Sequence, residues 1–236
     1  MHNHTRPLLT NNDLLTTAAT TPFTTTTTLT DNNNNMIRAI YNPNVTCTCG
    51  KVRLAIDSPS ALRLVCYSKD YRGYYQWLQQ QAKQHGHTKS PNNNKNAPID
   101  PWGGVDLVQI YPCDITVLAG KELCQTVLIR PGSPTRRVYA SCCDTPLFDI
   151  GSLSAMVNTA LLADDDANQQ LPVHFRILGR HALPNKLTQQ QPKPSMSWSI
   201  PWSWLFVMGR RIDKSKMEPL PLDISQPKVI PNFEQG

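Results

Sequence analysis

Cys47-Thr48-Cys49-Gly50-Lys51-Val52-Arg53-Leu54-Ala55-Ile56 carries two signals at once. Val45, Val52, Leu54 and Ile56 are spaced for a strand with one buried face. The two cysteines interrupt that pattern with thiols set on the same side of an extended segment, and Gly50 lets the chain bend tightly behind them. A C-x-C pair supplies half of a tetrahedral zinc shell. The remaining half has an obvious source in Cys142-Cys143-Asp144-Thr145-Pro146, at the end of another predicted strand. Spacing alone leaves two readings open: a zinc ion stapling distant parts of a sheet, or small buried cysteines with a chance doublet.

Working outward, Leu62 to Cys66 reads as a strand, and Tyr71, Tyr74, Tyr75 and Leu78 recur at helical spacing. Residues 79–98 hold Gln, His, Lys and Asn with little apolar content and read as a mobile insertion. Val105 to Ile110, Ile115 to Leu118, Cys124 to Ile129 and Arg136 to Ala140 are four β-type runs, with reversals expected at Ala119-Gly120-Lys121 and Pro131-Gly132-Ser133. Leu153, Met156, Val157, Ala160 and Leu161 are spaced for one face of a helix capped by Ser152, and Val173 to Leu178 suits a further strand. The fold class is therefore mainly β: a small antiparallel sheet fold, a few short helices, and a zinc site joining distant strands.

The 236 residues divide by composition into three parts. Residues 1–36 are dominated by Thr and Asn, including Thr24 to Thr28 and Asn32 to Asn35, and bring too little apolar surface to offset the entropy of ordering. They read as a disordered tail. Residues 37–184 read as the domain, and 185–236 as a Pro-rich linker with an aromatic extension. Twenty prolines against eleven glycines, with 39% apolar residues, exclude a long helical bundle.

The formal charge of +6 comes from 23 Lys and Arg against 17 Asp and Glu, scattered without the basic stripe of a nucleic-acid binder, so no specific nucleic acid is expected. The amino terminus lacks a secretory pattern, and no window reaches the ~18 apolar residues of a membrane span. Cytoplasm or nucleus is the expected location. There, seven cysteines argue for free, metal-ready thiols rather than a disulfide scaffold.

Cys47-Thr48-Cys49-Gly50-Lys51-Val52-Arg53, then Cys66-Tyr67, then Gly103-Gly104 before an apolar strand, then Cys143-Asp144-Thr145-Pro146-Leu147 follow one another in a familiar order. Over about residues 45–150 the chain resembles the glutathione-dependent formaldehyde-activating enzyme and centromere protein V family. The resemblance implies a structural zinc on Cys47, Cys49 and Cys143, with Cys142 as the replacement for a fourth ligand whose family position is Ala140. It also implies carbon-sulfur lyase chemistry on a glutathione adduct such as S-hydroxymethylglutathione, at a second, catalytic zinc. Of that second site only Cys66 matches, since the next two ligand positions are Ser68 and Tyr71. Hydroxyls are poor substitutes for thiolates; Asp70, or His85 or His87 on a loop folded back, is the alternative donor.

The expected function is thus a zinc-binding protein with a degenerate second site, weakly active or non-catalytic. The alternatives are an active lyase using Cys66 with glutathione or its adduct as partner, and a peripheral membrane protein. The last rests on Trp198, Trp202, Trp204, Leu205 and Phe206 before Arg210-Arg211, a patch that either packs on the domain or enters a membrane surface. His85-Gly86-His87 has ligand-like spacing but reads as two solvated imidazoles in a polar stretch. His174, His181, Cys113 and Cys124 read as structural.

Overall fold

The computed structural model describes residues 43–58, 61–87, 99–151, 154–162, 171–184, 197–201, 222, 227–231 and 233. Within them the chain is mostly strand, and alternation along each strand sorts its side chains between two cores. In β4 (Val105–Ile110), Val105 and Leu107 enter one core while Val108 and Ile110 enter the other. β7 (Arg136–Ala140) divides the same way, with Val138 and Ala140 on one side and Arg137 and Tyr139 on the opposite side.

These strands belong to an eight-stranded sheet. Its order is β10 (Val173–Ile177), β3 (Leu62–Cys66), β4, β9 (Ala155–Asn158), β8 (Thr145–Ile150), β7, β6 (Cys124–Leu128) and β11 (Lys228–Val229). A second sheet of three strands, β1 (Asn44–Thr46), β2 (Arg53–Ile56) and β5 (Ile115–Ala119), lays Val45, Leu54, Ile56 and Ile115 against Val108, Val138 and Phe148 of the large sheet. On the opposite face lies α1 (Lys69–Gln84), which packs Tyr74, Tyr75 and Leu78 against Leu62, Leu64 and Leu107. Each such fully buried side chain stabilises the stack by about 1.5–3 kcal/mol. The result is three layers: small sheet, large sheet, helix.

Several expectations change. The sheets are not wholly antiparallel, because β10 joins β3, and β11 joins β6, in parallel at the two edges. Residues 155–158 form β9, a central strand paired with both β4 and β8, rather than a helix. Ala155, Val157 and Asn158 are all buried there, and apolar spacing cannot separate helix from strand in so short a segment buried on both faces. The expected cap Ser152 and Leu153 lie outside the described residues. The reversal at Gly120 (φ 73°) is not a hairpin, since it carries the chain from β5 in the small sheet to β6 in the large one. A Cβ at Gly120 would lie 2.6 Å from the Lys51 carbonyl, so this crossing needs glycine.

The expected insertion 79–98 is helical as far as Gln84, with Ala82 buried; residues 88–98 lie outside the described set. The tail 1–36 and the aromatic residues 202–211 also lie outside it, while Trp198 is 75% exposed. Downstream of the Pro-rich stretch, Ile230 enters the helix-side core and Phe233 approaches Gly73 of α1. Among the described residues no helix is long and apolar enough to cross a membrane.

Candidate metal centre

The turn after β7, residues 141–144, stands at the end of the large sheet and is met from both flanking layers. From one side comes the turn between β1 and β2. Gly50 in left-handed geometry (φ 80°) lets its amide bond the Cys47 carbonyl at 2.9 Å, which folds Cys47 and Cys49 into a knuckle rather than an extended pair. The Val52 amide then donates to Cys47 Sγ at 3.2 Å. From the sheet come Cys142 and Cys143, adjacent residues whose side chains would diverge on a strand but converge from this turn.

The sulfur separations are 3.5 Å for Cys47–Cys49, 3.9 Å for Cys47–Cys142, 3.3 Å for Cys49–Cys142 and 3.8 Å for Cys142–Cys143. All four sulfurs lie within 4.8 Å of one another. A tetrahedral zinc with Zn–S bonds of about 2.3 Å requires sulfur pairs about 3.8 Å apart. The residues present therefore fit the ion, and the site joins two sheets and two chain regions 95 residues apart. Ala140, buried at the end of β7, offers no donor, and the fourth thiol of the group is that of Cys142.

Electrostatics point the same way. Burial works against the Cys143 thiolate, but hydrogen bonds from the Thr145 and Thr48 hydroxyls and from Cys49 outweigh it and bring its pKa down to about 7. Thr145 Oγ1 lies 3.0 Å from Cys143 Sγ and accepts from the Thr48 amide at 3.2 Å, and the two threonine hydroxyls meet each other. Burial pushes Cys47 and Cys142 up, and the charge at Cys143 pushes them further. One thiolate forms readily and then opposes its neighbours, an arrangement that a divalent cation relieves.

Cys66 is not part of this group. At the end of β3 it faces the helix layer, buried among that core, and burial raises its pKa to about 11. Ser68 is the N-cap of α1, its hydroxyl accepting from the Asp70 amide at 3.1 Å. The Tyr71 ring lies 4.3 Å beneath the Arg137 guanidinium, which also sits over Tyr74 and pairs with Asp149 at 2.7 Å in a buried cross-strand contact. Cys113 and Cys124 also stand outside the four-thiol group, and burial lifts Cys124 to about 11. Among the described residues, His174 and His181 belong to no group of candidate metal donors.

No protein-family model matches this chain, and no curated protein matches it. Among solved structures, the crystal structure of a Rhodobacter sphaeroides protein, a structural genomics target, is similar at 12% identity and a TM-score of 0.33, covering 55% of this chain and 96% of that one.

A second group meets the turn from the helix side: His85, His87 and Asp144. His85 Nδ1 is 2.9 Å, and His87 Nε2 3.6 Å, from the same Asp144 oxygen. Both histidines are held by the C-terminus of α1. Gly86 (φ 69°) follows the cap residue His85, its amide bonding Lys83 O at 3.3 Å while the His87 amide bonds Ala82 O at 2.8 Å. That paired closure folds the chain back over the last turn. The sequence signal for it is a glycine just past a polar helix, masked by the low apolar content of residues 79–98.

Proposed function

We propose that this chain is a zinc-stapled scaffold or binding protein of the glutathione-dependent formaldehyde-activating type, without that family's carbon-sulfur lyase activity. The four converging thiols carry the reading. Cys47, Cys49, Cys142 and Cys143 would hold a structural zinc, which in such a closed shell supplies folding energy rather than an open coordination position.

The loss of catalysis is supported by the fate of the three positions that the resemblance assigns to a second zinc. Cys66 is a buried neutral thiol, Ser68 caps a helix, and Tyr71 lies against a guanidinium. A catalytic zinc needs three anionic or imidazole donors and one open position, and a neighbouring Arg137 cation opposes a second positive charge.

The test combines zinc analysis with turnover. The purified chain should hold a thiolate-bound zinc that Cys66→Ala leaves unchanged and Cys49→Ser/Cys142→Ser releases. Mixed with formaldehyde and glutathione, it should not raise S-hydroxymethylglutathione formation above the uncatalysed rate. Turnover that disappears in Cys66→Ala would establish the lyase reading instead.

A further inference from the structure

We propose that His85, His87 and Asp144 form a second zinc site, solvent-facing and with one coordination position open to water or a small anion. The inference does not depend on the four-thiol site or on the family reading, since it uses different donors.

Three observations carry it. First, the donors converge. Nδ1 of one ring and Nε2 of the other approach a single carboxylate oxygen at 2.9 and 3.6 Å, and all three ligand atoms lie within 4.8 Å of one another. Donors about 2.0–2.1 Å from a tetrahedral ion stand about 3.3 Å apart. The two separations straddle that value, whereas a plain hydrogen bond would use only the shorter.

Second, the carboxylate is expensive to leave as it is. The Asp144 side chain is 1% exposed, and its ion-pair partners among the described residues are the two imidazoles, with no Arg or Lys at salt-bridge distance. A buried carboxylate requires a compensating charge. The two imidazoles approach one oxygen of it, and a divalent ion held by the same rings would bring compensating charge to that position.

Third, the exposure gradient is that of an open site. Asp144 lies at the base, His87 is 29% exposed and His85 50%, so the fourth direction faces solvent. Three protein donors with one free position is the format of zinc that binds water or exchanges ligands. Imidazole and carboxylate suit zinc and differ in kind from the thiolates next door, so the two sites are spectroscopically separable.

The experiment is a cobalt(II) titration of metal-free full-length chain, followed by absorption, alongside zinc counting by mass spectrometry. A second equivalent of cobalt should add visible d–d absorption without thiolate charge-transfer intensity, and His85→Gln/His87→Gln should lose that equivalent alone. Asp144→Asn is the second variant, and circular dichroism verifies the fold of both. If the His variant binds as many ions as the parent, or if the parent stops at one ion with a thiolate signature, the proposal is overturned. A parent that binds one ion without thiolate bands, lost with the histidines, would uphold this site while refuting the four-thiol one.

Discussion

Stripping zinc from the four-thiol turn should cost the folded domain about 4 kcal/mol, and the structure allows that figure to be reached by two routes. Cys47 and Cys142 are 3.9 Å apart in space but 95 residues apart in sequence. A covalent link closing a loop of that size withdraws about 4–5 kcal/mol of entropy from the unfolded chain. Independently, an ion that binds only the folded thiol set, present at a thousandfold its Kd, adds about 4 kcal/mol by mass action. For a domain of this size each kcal/mol corresponds to about 2–4 °C, so thermal unfolding should fall by about 8–16 °C on chelation and return when zinc is restored. Differential scanning calorimetry on the full chain reads this directly. The shift should persist in His85→Gln/His87→Gln, shrink in Cys49→Ser/Cys142→Ser to what the histidine site contributes, and vanish when the four substitutions are combined. A change below about 2 °C in the parent, or an equal shift in the cysteine variant, would refute the staple, because neither linkage argument could then apply.

Two further outcomes test the helix side of the large sheet. Arg137→Met alone leaves the Asp149 carboxylate buried without its partner and should cost about 3–5 kcal/mol in urea unfolding, while adding Asp149→Leu should recover most of that loss; equal destabilisation by single and double variants would deny that the two charges are coupled. At alkaline pH, Cys66 stays protonated in the folded chain until about 11, whereas its ordinary value is 9.0. Below pH 9 both states hold the proton and there is no effect; above it the unfolded chain releases the proton first, so stability falls by roughly 3 kcal/mol as pH rises to 11. Cys66→Ala should remove that part of the pH slope, and parallel curves for the two proteins would contradict a buried neutral thiol.

Strand positions were the legible part of the fold. Leu62–Cys66, Val105–Ile110 and Arg136–Ala140 have the limits that apolar content and turn residues indicate, because each is bounded by punctuation with a direct steric effect. What could not be read locally is which strand pairs with which. Nothing in Gly120 itself says that the chain changes sheets there; the demand for glycine comes from Lys51 and Val52, which crowd it from the segment leading into β2. The β9 segment fails for the opposite reason: with a neighbour on each side and burial on both faces it has no polar face to set a period.

The thiol site was legible because its chemistry is written in residue type, and four cysteines divided between two turns have few other uses in a chain without disulfides. The knuckle at Gly50 and the turn at Cys142-Cys143 are the conformational terms that make adjacent or near-adjacent thiols converge. The histidine group needed tertiary information: its third donor, Asp144, is 59 residues from His85, and only the cap at Gly86 aims the rings towards it. Both clusters therefore depend on the same four-residue turn. Cys142 and Cys143 anchor it to the small sheet, Asp144 anchors it to the helix, and the large sheet between them has no other described turn clamped from both faces by possible metal donors. A perturbation that opens this turn should release both layers together, which makes cooperative loss of zinc and of helix docking the natural failure of this fold.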